Sequence, residues 1–273
     1  MGMAMNLVTG FTTAQAASFG AVTVSNGDSL QIKYSPDDKM IRMAAKWSMF
    51  QVTGNTRLIS PKLHDNVVGI TNSEIAANAM NELPQGTGQK LFSQDTLTLQ
   101  HLGTAAAGKV DITSMLHWYA DSPGSAADLY TWDQIKGLAT QYMTFRTTLA
   151  TTAAGQYGTT VAINSTDNQF RANANYAILG YQVSAAIATV GLQGPNTGNL
   201  RIGGPGTPTF RWMTSQWFKY ISDTLGLPAI PVINAANAGS TVAFGVQDEN
   251  LTSSICTWIA VLLEGNLPRP NVY

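Results

Sequence analysis

Three histidines (His64, His101 and His117) and one cysteine (Cys256) are the side chains best suited to metal binding or nucleophilic catalysis. A metal site needs several nitrogen, sulfur or carboxylate ligands converging on one ion, and no His-x-His pair occurs. His101 and His117 are the two that neighbouring strands would bring face to face, although a lone strand histidine reads as structural. Cys256 lies in "SSICTWIAVLL", a buried-strand pattern in which a thiol acts as a small apolar filler. With one cysteine there is no intrachain disulfide. No Gly-x-Ser-x-Gly elbow, Gly-x-x-x-x-Gly-Lys loop or His-Glu-x-x-His pair is present. "GGPG" at 203–206 lacks the third glycine of a dinucleotide loop and reads as a turn. The acid pairs Asp37-Asp38 and Asp248-Glu249 read as solvated turn carboxylates. Asn164-Ser-Thr and Asn250-Leu-Thr match the glycosylation acceptor, a match that carries no weight in a chain this rich in Asn and Thr. The sequence therefore points away from an enzyme and calls for no cofactor and no metal.

Composition narrows the classes further. The chain has 273 residues, 44% hydrophobic but only 11% charged, with a formal net charge of −1. An average soluble protein has about 25% charged residues. Thr, Ser, Asn, Gln, Ala and Gly must cover this surface instead, which suits faces covered by neighbouring subunits. Residues 1–30 hold no Lys or Arg, so a basic arm for genome phosphates is missing and sequence-specific nucleic-acid binding is not expected. The densest apolar run, "WIAVLL" at 258–263, is six residues, far short of the roughly 20 of a membrane span. The N-terminal segment lacks the charged start of a secretory signal and the Ser or Thr that lipidation expects at position 6, and reads as a flexible or extended arm.

Residues 53–61, "TGNTRLISP", and 197–205, "TGNLRIGGP", share Thr, Gly, Asn, Arg and Pro. They pair Arg57 with Arg201 and Pro61 with Pro205, and the same shift carries Leu83-Pro84 onto Leu227-Pro228. Further on, Trp118 in "TSMLHWY" answers Trp258 in "SSICTWI". These residues read as structural repeat positions. Each guanidinium would tie loop carbonyls together within turn chemistry, and both tryptophans would sit in a core.

The order of elements repeats as well. Short β-rich runs lead to each Arg motif, and a helix and three strands follow it. The first helix starts at the capping-box pattern Thr71-Asn-Ser-Glu74, with Ile75, Ala79 and Leu83 on one face. The second carries Phe210, Met213, Trp217, Ile221 and Leu225 on one stripe, begins near Pro208 and stops at Gly226. Trp212 falls off that stripe and is a candidate subunit-interface anchor. Between the copies, Trp132, Ile135, Leu138, Tyr142, Phe145 and Leu149 mark a connecting helix capped by Asp128. The expected division is an N-terminal arm at 1–18, a first barrel at 19–122, a connecting helix and linker at 123–155, and a second barrel at 156–273.

Strands, a helix and three final strands, passed through twice, resemble the double jelly-roll major capsid proteins of tailless icosahedral viruses, membrane-containing bacteriophages among them. The resemblance implies an all-β chain with a few helices, forming two tandem eight-stranded jelly-roll barrels, each with a helix before its last three strands. It implies a structural virion protein: a homotrimer forming pseudo-hexagonal capsomers, assembled in the host cytoplasm. Its partners would be copies of itself, neighbouring capsomers, an inner lipid membrane and minor capsid proteins. The competing reading is a tandem β-sandwich that binds carbohydrate or a receptor, as in a spike, fibre or lectin.

Overall fold

The computed structural model describes the chain except for residues 1–2, 14–15, 33–39, 51, 64–66, 76–77, 82–87, 105–106, 121–126, 151–152, 165–169, 186, 207–210, 250–252 and 271–273. His64, Asp37-Asp38, Leu83-Pro84, Pro208, Phe210 and Asn250 lie outside the described residues.

In the first half the chain forms β1 (Met3–Thr12), β2 (Ala16–Ala21), β3 (Thr23–Val24), β4 (Met40–Met49) and β5 (Thr53–Ile59). It continues through β6 (Ile70–Ile75), β7 (Asn78–Asn81), β8 (Gln89–Lys90), β9 (Thr98–Thr104) and β10 (Asp111–Ala120). Both β7 and β8 run antiparallel to β4, Asn78 to Asn81 along Met49 to Lys46 and then Gln89-Lys90 along Met43-Arg42, and so behave as one interrupted strand. With the two-residue β3 set aside, eight strand positions remain. One sheet then runs in the order 1-8-3-6 and the other 2-7-4-5.

The second half repeats that order. It comprises β11 (Leu129–Tyr130), α1 (Trp132–Ile135), β12 (Ala139–Ala150), β13 (Val161–Ala162), β14 (Asn175–Val183), β15 (Ile187–Gln193) and β16 (Ile202–Gly206). Then come α2 (Arg211–Thr214), α3 (Trp217–Leu225), β17 (Ile230–Asn234), β18 (Val242–Val246) and β19 (Ser253–Leu263). Counting from β12, the sheets are again 1-8-3-6 and 2-7-4-5, with β11 added beside β17. Even a defect recurs: the third strand bulges opposite the eighth in each half, at Ala44 and at Leu179. Two eight-stranded sandwiches with this order are jelly rolls, so the chain is a tandem double jelly roll.

Several expected elements differ. Residues 3–12 are no loose arm: β1 pairs with β10 over ten residues, from Met3↔Ala120 to Thr12↔Asp111. Its Ala4 and Val8 enter the first barrel's core while Met3, Met5 and Leu7 enter a second cluster on the other face. A strand covered on both faces reads as a continuous apolar run, which hides its period. The helix expected at 71–83 is replaced by β6, whose residues 70–75 pair with β5, and by β7 beyond it. The capping-box pattern loses to a sheet ladder that satisfies the same backbone groups. The connecting helix shrinks to one capped turn, α1, a 3₁₀ turn at Lys136–Leu138, and then the twelve-residue strand β12. The apolar residues at 142, 145 and 149 fit a helical stripe, yet Tyr142 is 65% exposed and the alternation Phe145, Thr147, Leu149 is the buried one. Threonines favour such a strand. β12 is thus the first strand of the second barrel, which begins inside the segment expected to join the two.

The second helical region is broken at Ser215-Gln216, between α2 and α3. Its stripe of Met213, Trp217, Ile221 and Leu225 is buried, and Gly226 caps α3 with φ +68°. The "GGPG" stretch lies within β16 rather than in a turn, with Pro205 on an edge strand where its missing N–H costs no ladder bond.

Candidate assembly interface

One apolar cluster fills the space between the two sheets of the first barrel, with Val8, Leu58, Leu99 and Met115 among its members. The other fills the second barrel and continues onto the outer face of β1, β4 and β10, where Leu7, Trp47, Leu116 and Trp118 belong to it. The first barrel's 1-8-3-6 sheet is therefore covered on its outer face by the second barrel, whose 2-7-4-5 sheet supplies the opposite wall. The Trp47 indole N–H is shared between Ala188 O and Thr189 Oγ1, 3.1 Å each, and its ring meets Trp217 edge-on at 5.7 Å. Ser114 Oγ lies 2.9 Å from Thr9 Oγ1 and 2.7 Å from Thr189 Oγ1. At the margin, Leu7 N–H donates to Arg201 O and Val110 N–H to Asp248 O.

Asp28 crosses this seam. Its carboxylate accepts from Thr9 N–H at 2.6 Å and from the Tyr157 hydroxyl at 2.5 Å, and pairs with Arg201 Nη1 at 3.1 Å. The Arg201 guanidinium also lies 4.1 Å over the Tyr157 ring. Burial pushes the Asp28 carboxyl up to about 6 against the opposing pull of Tyr157, Thr9 and Arg201. Asp248 is largely buried and paired with Lys109 at 3.0 Å, so that acid is a seam residue rather than a solvated turn carboxylate.

Arg57 lies on β5, fourth strand of its barrel, where it donates to Gln100 Oε1 and Val67 O and sits 4.1 Å over Phe19. Arg201 precedes β16, fifth strand of its barrel. Pro61 follows β5 and Pro205 lies within β16. The two nine-residue windows thus fall on different strands, and one of them is a strand rather than turn chemistry; the duplication is carried by strand order instead. Trp118 and Trp258 both lie on eighth strands and both are buried. Aligning the bulges sets Leu116 against Ile259, which puts the two tryptophans three residues out of register and on opposite faces. Trp118 points to the seam. Trp258 points into the second barrel, edge-on to Tyr181 at 5.5 Å and donating to Thr147 Oγ1. Trp212 is in α2, and its side chain lies outside the described residues.

Among the described residues the chemistry-bearing side chains do not converge. His101 is on β9 and His117 on β10, in opposite sheets, and His101 Nε2 instead stands 2.9 Å from Asp111 Oδ2. Among the described residues no three His, Cys, Asp or Glu are placed to hold a metal. Cys256 is fully buried, and burial pushes its thiol up.

The same bulge alignment identifies what the second barrel presents where the first meets its neighbour. Ile112 and Ser114 correspond to Ile255 and Thr257, and through their strand partners Leu7, Thr9 and Phe11 correspond to Thr144, Arg146 and Thr148. Ile112 is buried, whereas Ile255 is 41% exposed. At the other end, the outer face of the first barrel's 2-7-4-5 sheet presents half-buried Phe19, Asn55, Arg57, Gln100 and Leu102. The counterpart face on the second barrel is uncovered only at its Ile255 end: Ile259 and Val261, which answer Leu116 and Trp118, are buried, and the backbone between α2 and α3 lies against Gly180. Sequence reading missed these faces because a strand shows its period, not which of its faces a neighbour will cover.

Strand order and seam together define the class: a double jelly roll with its barrels stacked head to tail. No family model and no curated protein matches the chain. Among solved structures it is similar to the PBSX exported protein XepA (8% identity, 94% of this chain and 86% of that chain, TM-score 0.26). It is also similar to the STIV major capsid protein (9% identity, 96% and 97% coverage, TM-score 0.23). A third similar structure is the major capsid protein P2 of bacteriophage PM2 (10% identity, 97% and 100% coverage, TM-score 0.21). The fold assignment rests on strand order, not on these overlaps.

Proposed function

We propose that this protein is a structural, non-enzymatic subunit of a virion shell, in which three chains close a pseudo-hexagonal capsomer of an icosahedral lattice. One observation carries the reading: the two barrels meet through non-identical faces, and the counterparts of those faces stay exposed at the Ile255 end of the second barrel and on the outer 2-7-4-5 sheet of the first. A head-to-tail contact of this kind either closes a ring or grows a filament. Six similar barrels from three chains make a closed ring, so the seam repeated between chains gives the capsomer. The chemistry agrees. The seam within the chain buries a continuous apolar cluster with its ion pairs at the margin, as a permanent contact requires, whereas the exposed end of the counterpart carries Thr144, Thr148, Thr257 and Ile255 around a single charge, Arg146. Neighbouring capsomers, an inner membrane and minor capsid proteins are the partners this reading adds.

Sedimentation velocity and negative-stain electron microscopy of the concentrated 29.1 kDa chain test it. Trimers and shell-like tiles are expected, and Ile255→Asp should leave the melting temperature unchanged while holding the chain as monomer. A wild-type chain that stays monomeric at high concentration, or an I255D chain that assembles like wild type, overturns the proposal.

A further inference from the structure

Between β1, the segment around residues 27–32 and the 193–201 loop of the second barrel lies a cleft of about 290 Å³, open to solvent on one side. That volume is close to the lower end of ligand pockets, about 300 Å³. His117, 2% exposed, is one of its lining residues, and its Nε2 has no hydrogen-bond partner among the described residues. A buried imidazole without a partner on the wall of a cleft costs its desolvation unless a group in the cleft bonds to the ring.

We propose that this cleft is a binding site for a neutral polyhydroxylated ligand the size of one hexose. The charges of the wall are already spent. Arg201 is paired with Asp28 at 3.1 Å and stacked on Tyr157, so an anion would meet a cancelled field and a carboxylate beside it. Burial pushes His117 down to about 4, which leaves it uncharged near neutral pH and unable to attract an anion. The rest of the wall is amide-rich. Asn6, Gln31, Gln193 and Asn199 offer donors and acceptors together, and Gln193 already donates to Asn199 O. Hydroxyl groups satisfy such a wall because each both gives and accepts a hydrogen bond. One hydroxyl bonds to the neutral His117 imidazole where its ring lines the cleft, while others bridge the amides and the Arg201 guanidinium. Val8, Ile32 and Leu200 supply the apolar strip that the C–H face of a pyranose requires.

The site is contained within one chain, so it stands or falls independently of shell assembly. The test is saturation-transfer NMR and calorimetric titration of the full chain with glucose, galactose, mannose and N-acetylglucosamine, with inorganic phosphate and acetate as anionic probes. At least one sugar should bind saturably, and His117→Leu should weaken it about tenfold or more, the loss of one buried hydrogen bond. Gln31→Ala, at an exposed position on the rim, should weaken the same sugar and keeps the test valid should the histidine variant misfold. The proposal is overturned if no sugar saturates, if phosphate or acetate binds more tightly than every sugar, or if Gln31→Ala and a folded His117→Leu both bind like wild type.

Discussion

Asp28 and His117 line the same cleft and titrate in opposite senses, which gives a sharp test of the seam's electrostatics. Burial raises the Asp28 carboxyl to about 6 from an ordinary 3.8, so between those values the folded chain holds a proton that the unfolded chain has released. Stability from this group therefore falls as pH rises from 3.8 to 6, by about 3 kcal/mol at 1.36 kcal/mol per unit. Burial lowers His117 to about 4 from 6.5, so in that window the unfolded chain holds the extra proton. Its contribution falls as pH drops from 6.5 to 4, again by about 3 kcal/mol. In the wild type the two slopes nearly cancel. Asp28→Asn removes one of them and His117→Gln the other. Urea denaturation at intervals from pH 4 to 7 should show the wild-type advantage over D28N growing by about 3 kcal/mol on acidification. The difference between wild type and H117Q should move by a similar amount in the opposite direction. Because both comparisons are differences from wild type, the carboxylates common to all three proteins drop out. A D28N curve parallel to wild type across the whole range would refute the reasoning, since it would mean that Asp28 titrates as a solvated carboxyl despite its three polar contacts and its burial.

Other expectations follow from single contacts. Trp47→Phe keeps the seam's bulk but removes the N–H that Ala188 O and Thr189 Oγ1 share, leaving Thr189 its contact with Ser114, and should cost about 1–2 kcal/mol in urea denaturation. Gly204→Ala should cost at least about 1–3 kcal/mol, because a Cβ there would stand 2.3 Å from the Trp217 ring and 2.6 Å from the Tyr181 hydroxyl oxygen; a thermal melt unchanged from wild type would contradict the packing of α3 on β16. Lys46 is fully buried inside the first barrel beside Thr56, and burial pushes it down to about 7. The unfolded chain then holds the extra proton between pH 7 and 10.5, so stability should rise across that window, on the order of 4 kcal/mol by pH 10, a rise that Lys46→Met should lack.

The duplicated barrel was legible in the chain, though for reasons only partly carried by the residues that suggested it. The order of β-rich runs on either side of each Arg motif is a property of local pattern, and it survives as two identical strand orders. The paired windows around Arg57 and Arg201 do not superpose, since one is a fourth strand and the other leads into a fifth. Thr, Gly, Asn and Pro suit an edge strand or a loop equally well, so their recurrence marked composition more than position. The helices at 71–83 and 128–155 failed for a related reason: a spacing of four residues fits both a stripe on a helix and one face of a strand, and only pairing decides. β6 is a strand because β5 offers it a ladder, and β12 because β19 does.

By itself the sequence determined the class of local structure, the absence of familiar catalytic motifs and the neutral, hydroxyl-rich surface, because propensity, motif spacing and charge are written residue by residue. It also determined that Cys256 and Trp258 would be buried, since apolar runs bounded by turns have nowhere else to go. Only the tertiary structure decided that residues 3–12 form a strand covered on both faces, that Asp28 of one barrel meets Arg201 and Tyr157 of the other, and that His117 lines a cleft. Those facts depend on which face of each strand the second barrel covers. A strand's period of two leaves that choice open until the sheets are stacked.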